Sequence, residues 1–105
     1  MLALSLSYLG KPNSLALDNS DNPYISYYDH HPNYDLKLAH FNGTVWITQT
    51  VDSGGWVGQY SSLALDQAGC PHISYYDATN GDLKYAYLPV FKIYLPIITK
   101  NYLQP

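Results

Sequence analysis

Short runs of alternating apolar and polar residues, cut by turn residues, repeat along this chain. Leu2, Leu4, Leu6 and Tyr8 share one parity and Ala3, Ser5 and Ser7 the other, the period of a half-buried strand. Similar runs predict strands at Ser14 to Asp18, Pro23 to Tyr28, Leu36 to Phe41 and Val45 to Val51. Between them lie Asn19-Ser20-Asp21-Asn22, the His30 to Tyr34 loop and Asn42-Gly43. Asn-Gly predicts a two-residue type I′ hairpin, since both central residues of that turn need positive φ. Pro23 suits the first position of a strand, where a missing N–H is tolerated. Three further strands are predicted at Ser62 to Asp66, His72 to Asp77 and Leu83 to Leu88, and Val90 to Leu95 has the length and β-propensity of a fourth.

The second group repeats the first. Ser14-Leu15-Ala16-Leu17-Asp18 returns 48 positions later as Ser62-Leu63-Ala64-Leu65-Asp66. Pro23, Ile25, Ser26, Tyr27, Tyr28 and Asp29 return as Pro71, Ile73, Ser74, Tyr75, Tyr76 and Asp77. Asp35, Leu36, Lys37 and Ala39 return at an offset of 47 as Asp82, Leu83, Lys84 and Ala86, so the second copy lacks one loop residue. Gly69 replaces Asp21 and Asn80-Gly81 forms the next turn, which keeps residues that tolerate a left-handed backbone. A period of this size marks one supersecondary unit stacked on its neighbour. Within Ile25-Ser26-Tyr27-Tyr28, Ile25 and Tyr27 share one face and Ser26 and Tyr28 the other, so aromatics on both faces suit a sheet covered on both sides.

Composition narrows the function classes. The chain has 105 residues, enough for one small domain. Charged residues make up 12% against a usual ~25%, and all five cations are Lys and all eight anions Asp. Absence of Glu and Arg removes two good helix formers and, with 12 Tyr, favours strands with no significant helix. A net charge of −3 without a basic run lacks the electrostatic footprint of nucleic-acid binding. Cys70 stands alone, so no intrachain disulfide forms. No apolar stretch reaches the ~20 residues of a membrane span, and Met1 to Gly10 reads as part of the fold because no cation precedes its apolar part.

The pattern Ser-Leu-Ala-Leu-Asp, Pro-x-Ile-Ser-Tyr-Tyr-Asp, Asp-Leu-Lys-x-Ala, Gly-x-x-Trp and Thr-Val-Asp resembles the tandem repeats of secreted bacterial β-propellers of the sialidase-like and fucose-lectin-like group. The match runs from Ser14 to about Leu88. It departs from the sialidase Asp-box, because Asn42-Gly43-Thr44-Val45-Trp46 carries only the tail, with Ala39 and Phe41 where Ser or Thr and Asp would fall. The tail Lys92 to Asn101 is similar to Tyr-Leu-Pro ends of some bacterial surface-repeat proteins. The resemblance implies an all-β chain of two four-stranded antiparallel propeller-type blades, secreted or at the cell surface. Residues 1–13 would end a preceding blade, 14–60 form the first, 61–95 the second and 96–105 a tail, with 52–61 as the link. Known propellers use ~4–8 blades. Two blades therefore imply a piece of a longer array, a protomer that self-associates, or a lone two-sheet sandwich.

The chemistry-bearing residues point to binding rather than catalysis. The resemblance implies that a sialidase would need an Arg cluster and a Tyr activated by Glu, and this chain has neither cation nor anion of those types. Asp29 with Asp35, and Asp77 with Asp82, bracket one loop in both copies; glycosidase chemistry needs such facing carboxylates, but turn capping explains their recurrence. Asp18 to Asn22 has the oxygen spacing of a calcium loop, but its counterpart Asp66 to Cys70 has lost most ligands, so a hairpin turn fits both. His30-His31 lacks a defined third ligand, and His40 and His72 fall in strands. No residue is assigned a catalytic, metal or cofactor role. The ligand-binding candidates are Trp56, in the Gly-rich link, with Tyr28, Tyr34, Tyr76, Asp29 and Asp77, whose flat rings and carboxylates suit a glycan or a protein segment. Trp46 is expected in the core and Cys70 to be inert. The alternatives are part of a glycoside-active enzyme and a purely structural repeat without a ligand.

Overall fold

The computed structural model describes residues 13–30, 32–89 and 97–99. All regular structure there is β. Strands β1 (Asn13–Leu17), β2 (Pro23–Asp29), β3 (Asp35–Phe41) and β4 (Trp46–Asp52) form one antiparallel sheet in chain order. Strands β5 (Val57–Leu65), β6 (Pro71–Asp77), β7 (Asp82–Tyr87) and the three-residue β8 (Ile97–Thr99) form the other. Equivalent residues occupy equivalent places: Ser14 faces Ser26 in one sheet, and Ser62 faces Ser74 in the other.

The β1–β2 turn shows why the repeat tolerates substitution. Asp18 Oδ1 accepts the N–H groups of Ser20 and Asn22, and Asp66 Oδ1 accepts those of Ala68 and Cys70. The next residue in need of a left-handed backbone is Asp21 in one copy (φ 63°) and Gly69 in the other (φ 83°). Both residue types reach that region at low cost.

Four expectations need revision. The Asn42-Gly43 hairpin is not type I′: Gly43 has positive φ but Asn42 does not, and Asn42 Oδ1 instead accepts the N–H groups of Thr44 and Val45. That side-chain cap lengthens the loop, so β4 starts at Trp46 rather than Val45. β5 starts at Val57, so the boundary between sheets lies within 53–56 and not at 60/61, and the link is shorter than 52–61. β8 falls in the segment read as a tail, whereas the strands expected at Leu2 to Tyr8 and Val90 to Leu95 lie outside the described residues.

The sheets pack face to face. Leu36, Leu38 and Val51 of the first meet Val57, Leu63, Ile73, Tyr75 and Ala86 of the second, all buried, with Leu88 beside them. Each fully buried aliphatic side chain contributes roughly 1.5–3 kcal/mol. Two serines cross the seam in a hydrogen bond between Ser26 Oγ and Ser61 Oγ (2.8 Å), and Leu63 N–H donates to Ser14 Oγ (3.1 Å).

A β-bulge alters the far end of β4. Leu36 pairs with Asp52 but Lys37 pairs with Thr50, leaving Val51 as the extra residue. Strict alternation would send Val51 and Asp52 to opposite faces; both are buried instead. Asp52 Oδ2 accepts a hydrogen bond from the Tyr75 hydroxyl (2.6 Å) and an ion pair from Lys84 Nζ (2.8 Å), and Oδ1 accepts Gly54 N–H (2.9 Å). Burial alone would push Asp52 up. The Lys84, Tyr75 and Gly54 hydrogen bonds outweigh it and hold the carboxyl below the usual carboxylate range. Burial first, then the Asp52 carboxylate, drives the Tyr75 phenol far above its ordinary range. This hub ties the last strand of one sheet to two central strands of the other.

Candidate functional site

The best-built site lies where the β2–β3 loop meets the β4–β5 link. The link is held where it enters β5. Val57 N–H donates to Tyr34 O (3.1 Å), Ala78 N–H to Trp56 O (2.8 Å) and Trp56 N–H to Thr79 Oγ1 (2.8 Å). Gly58 makes this approach possible. Its φ is +108°, and a Cβ there would lie 2.7 Å from Leu36 Cα, which only glycine avoids.

The anchored link carries Trp56 against Tyr34, their rings tilted with centroids 5.0 Å apart. His30 bridges from Tyr34 (5.9 Å) to Tyr28 (5.7 Å, edge-on). Trp56 is about half exposed, at 46%. Tyr34 sits at φ 58°, whereas its counterpart in the second copy is Gly81 at φ 72°. An aromatic residue in the left-handed region costs about 1–3 kcal/mol. That strain falls on the ring that forms the edge of the shelf.

The ends of β2 and β3, which carry the same loop, hold a cluster of charges. Asp29 Oδ2 accepts Asn33 Nδ2 (3.0 Å) and pairs with Lys37 Nζ (3.4 Å). Asp35, opposite Asp29 in the β2–β3 register, is raised above the usual carboxylate range by burial, with Lys37 opposing and the Asp29 and Asp52 charges adding.

The six sequence candidates therefore separate. Trp56 and Tyr34 form the shelf, and Asp29 pairs with Asn33 and Lys37 instead. Tyr28 is not a contact residue: at 2% exposure it supports the shelf from beneath. Burial raises its phenol, with the Trp56 indole acting the other way, and its hydroxyl has no hydrogen-bond partner of ordinary geometry among the described residues. Asp77 is wholly buried, and its two oxygens accept Asn80 N–H (3.1 Å) and Asn80 Nδ2 (2.8 Å), which removes it from any ligand-facing set. Tyr76 is exposed but meets Tyr60 (6.3 Å), not the shelf. Sequence reading missed His30 as a ring partner and Lys37 as the cation facing Asp29. The signal was position: both flank the loop that Tyr34 ends.

The other end of the sheets holds a second group of polar side chains. Tyr24 stacks on His40 at 4.7 Å, and His72 on Tyr87 at 4.7 Å. These are equivalent cross-strand pairs in which His and Tyr have exchanged strands. His72 also bonds Asp66 Oδ2 through Nε2 (2.9 Å) and the Tyr85 hydroxyl through Nδ1. A shallow cleft of about 230 Å³ runs between the two Asp turns, lined by Asp18, Asn19, Ser20, Tyr24, Ala68 and Gly69. Its one lining carboxylate, Asp18, already holds its own turn. Trp46 packs on Phe41 (5.6 Å) and is only partly buried, short of the expected core position. Among the described residues no three His, Cys, Asp or Glu side chains converge to hold a metal, and no helix is long and apolar enough to cross a membrane. No family model, curated protein or solved structure matches the chain.

Proposed function

We propose that this chain is a non-catalytic repeat module, of the propeller-blade type, that acts outside the cell or at the cell surface and binds a glycan on the Tyr34–Trp56 shelf. The observation that carries the reading is Tyr34: an aromatic ring held in a backbone conformation where the sister copy uses glycine, against a tryptophan that is half open to solvent. Strained backbone of this kind clusters at functional sites. Sugar rings present apolar C–H faces, and flat aromatic side chains meet them with large area at low entropic cost. Asn33, next to Tyr34 in the β2–β3 loop, supplies an amide for sugar hydroxyls. The alternative of glycoside cleavage is weaker, because Asp29 is already engaged by Lys37 and Asn33, and Asp77 is buried.

A single open shelf supports binding in the millimolar to high-micromolar range, about −4 to −6 kcal/mol. Glycan-array screening followed by calorimetric titration tests this. The expected result is a saturable change that Trp56→Ala abolishes with the fold intact. Absence of binding to any glycan at millimolar concentration, with the shelf intact, overturns the reading; selective capture of a protein segment by the same residues would move the ligand class to protein.

A further inference from the structure

Beneath the shelf lies a polar group that the fold itself does not use. Tyr28, on β2, is 2% exposed, and its hydroxyl has no hydrogen-bond partner of ordinary geometry among the described residues. Tyr75, buried as deeply at 1%, donates its hydroxyl to Asp52 Oδ2 at 2.6 Å. The repeat copy of Tyr28 is Tyr76, which is 38% exposed. A buried hydroxyl without a partner destabilises a fold, because it has left water and gained no bond in return. Phenylalanine would fill the same space without that cost. The surroundings of this hydroxyl supply a reason for keeping it. Tyr28 meets His30 edge-on at 5.7 Å, His30 meets Tyr34 at 5.9 Å, and Tyr34 meets Trp56 at 5.0 Å. The Trp56 indole is close enough to act on Tyr28, lowering the phenol against the larger rise from burial. An indole N–H only donates, so it can engage the Tyr28 oxygen but never its proton.

We propose that the Tyr28 hydroxyl is the group that reads the ligand of this site: the Trp56 side chain turns aside, and the unused proton is donated to a hydroxyl oxygen of a neutral sugar lying on the shelf. This rests on the glycan reading given above and adds to it a specificity-determining residue. The structure shows the covered state, in which Trp56 keeps Tyr28 from solvent. Uncovering it takes a side-chain rotation and not a loop movement. Trp56 N–H is held by Thr79 Oγ1 and Trp56 O by Ala78 N–H, both at 2.8 Å, which fixes the backbone on either side of the ring. The ring itself is 46% exposed, so turning it gives up less buried apolar area than moving a core side chain. The ligand atom is an acceptor, because the proton is the unused part of Tyr28. It is uncharged, because the Asp29 charge already acts against a second negative charge at Tyr28. A sugar without a hydroxyl at that place leaves the proton unpaired in a site shielded from water, and such a loss discriminates far more strongly than apolar contact does.

Tyr28→Phe separates this role from a structural one, because the two predict opposite signs. The probes are the methyl glycosides of galactose, glucose, mannose and N-acetylglucosamine, with methyl glucuronide as the charged comparison, each titrated by calorimetry. Stability is read as the urea midpoint by circular dichroism. Tyr28→Phe is expected to raise the midpoint, since it sheds an unpartnered hydroxyl, and to weaken the best-bound neutral glycoside about tenfold. In a Trp56→Ala background water reaches the hydroxyl, so Tyr28→Phe is expected to raise the midpoint no further. A Tyr28→Phe midpoint no higher than the parent's means that the hydroxyl already has a partner, and overturns the proposal. Tighter binding of methyl glucuronide than of the neutral glycosides overturns it as well. Unchanged glycoside affinity in Tyr28→Phe, with affinity lost in Trp56→Ala, overturns the role of Tyr28 and leaves the shelf standing. Failure of all the neutral glycosides to bind the parent chain overturns the shelf reading and this proposal with it.

Discussion

Asp52→Ala is the sharpest test of how the two sheets are held together. The substitution removes the carboxylate that Lys84 and Tyr75 share at 2.8 and 2.6 Å. The Lys84 side chain is 8% exposed and that of Asp52 5%, so water does not replace the lost partner without local opening. Stranding one charge of a buried pair costs about 3–5 kcal/mol, and the orphaned Tyr75 hydroxyl adds about 1–3 kcal/mol where it stays dry. A domain of this size holds about 5–15 kcal/mol in all, so the variant sits at the edge of unfolding. Lys84→Met leaves Asp52 with Tyr75 and Gly54, and is expected to cost less. The triple variant Asp52→Leu, Lys84→Met, Tyr75→Phe removes every polar group at once and is expected to return to within about 1 kcal/mol of the parent or to exceed it. Urea unfolding followed by tryptophan fluorescence at neutral pH measures all three. A cost for Asp52→Ala below about 1 kcal/mol, or a triple variant no better than the single, refutes the account of the hub as a buried, mutually dependent set.

Gly58→Ala is expected to destabilise by more than about 1–3 kcal/mol, the cost of the backbone conformation alone, since its methyl would also meet Leu36 Cα; thermal denaturation reads this. Tyr34→Gly is expected to abolish glycan binding while leaving stability equal or raising it by about 1 kcal/mol, because the backbone strain is relieved; a loss of stability would count against strain at this residue. Acid is expected to act in two stages. Burial lowers the His40 pKa, with Asp18 opposing, so the unfolded chain takes up the proton first and stability falls as pH drops below about 6.5. Asp52 is held below its ordinary value, so its contribution is complete above about pH 4 and is lost as pH falls through the folded value. His40→Gln should remove the first stage and Asp52→Asn much of the second, read from urea midpoints across pH.

Much of the architecture was legible in the chain itself. The doubled Ser-Leu-Ala-Leu-Asp and Ile-Ser-Tyr-Tyr-Asp runs located β1, β2, β5 and β6, because side-chain period two is a local property of extended backbone. Replacement of Asp21 by Gly69 marked a left-handed turn residue in both copies, and the structure has positive φ at each. The shelf was legible in part: Trp56 and Tyr34 stood out by residue type and loop position. Tyr28 and Asp77 did not reveal that they are buried, because their copies Tyr76 and Asp29 are more exposed; identical local sequence reaches different solvent.

Tertiary structure decided what alternation could not. The bulge at Val51 turns Asp52 inward, where Lys84 and Tyr75 come to it from strands far along the chain. It also decided which face of the first sheet meets the second, since the covering surface is another sheet and not a neighbour in sequence. Local pattern sets where side chains point; only packing between sheets sets what they meet, and hence which charges are buried and which ring stays exposed.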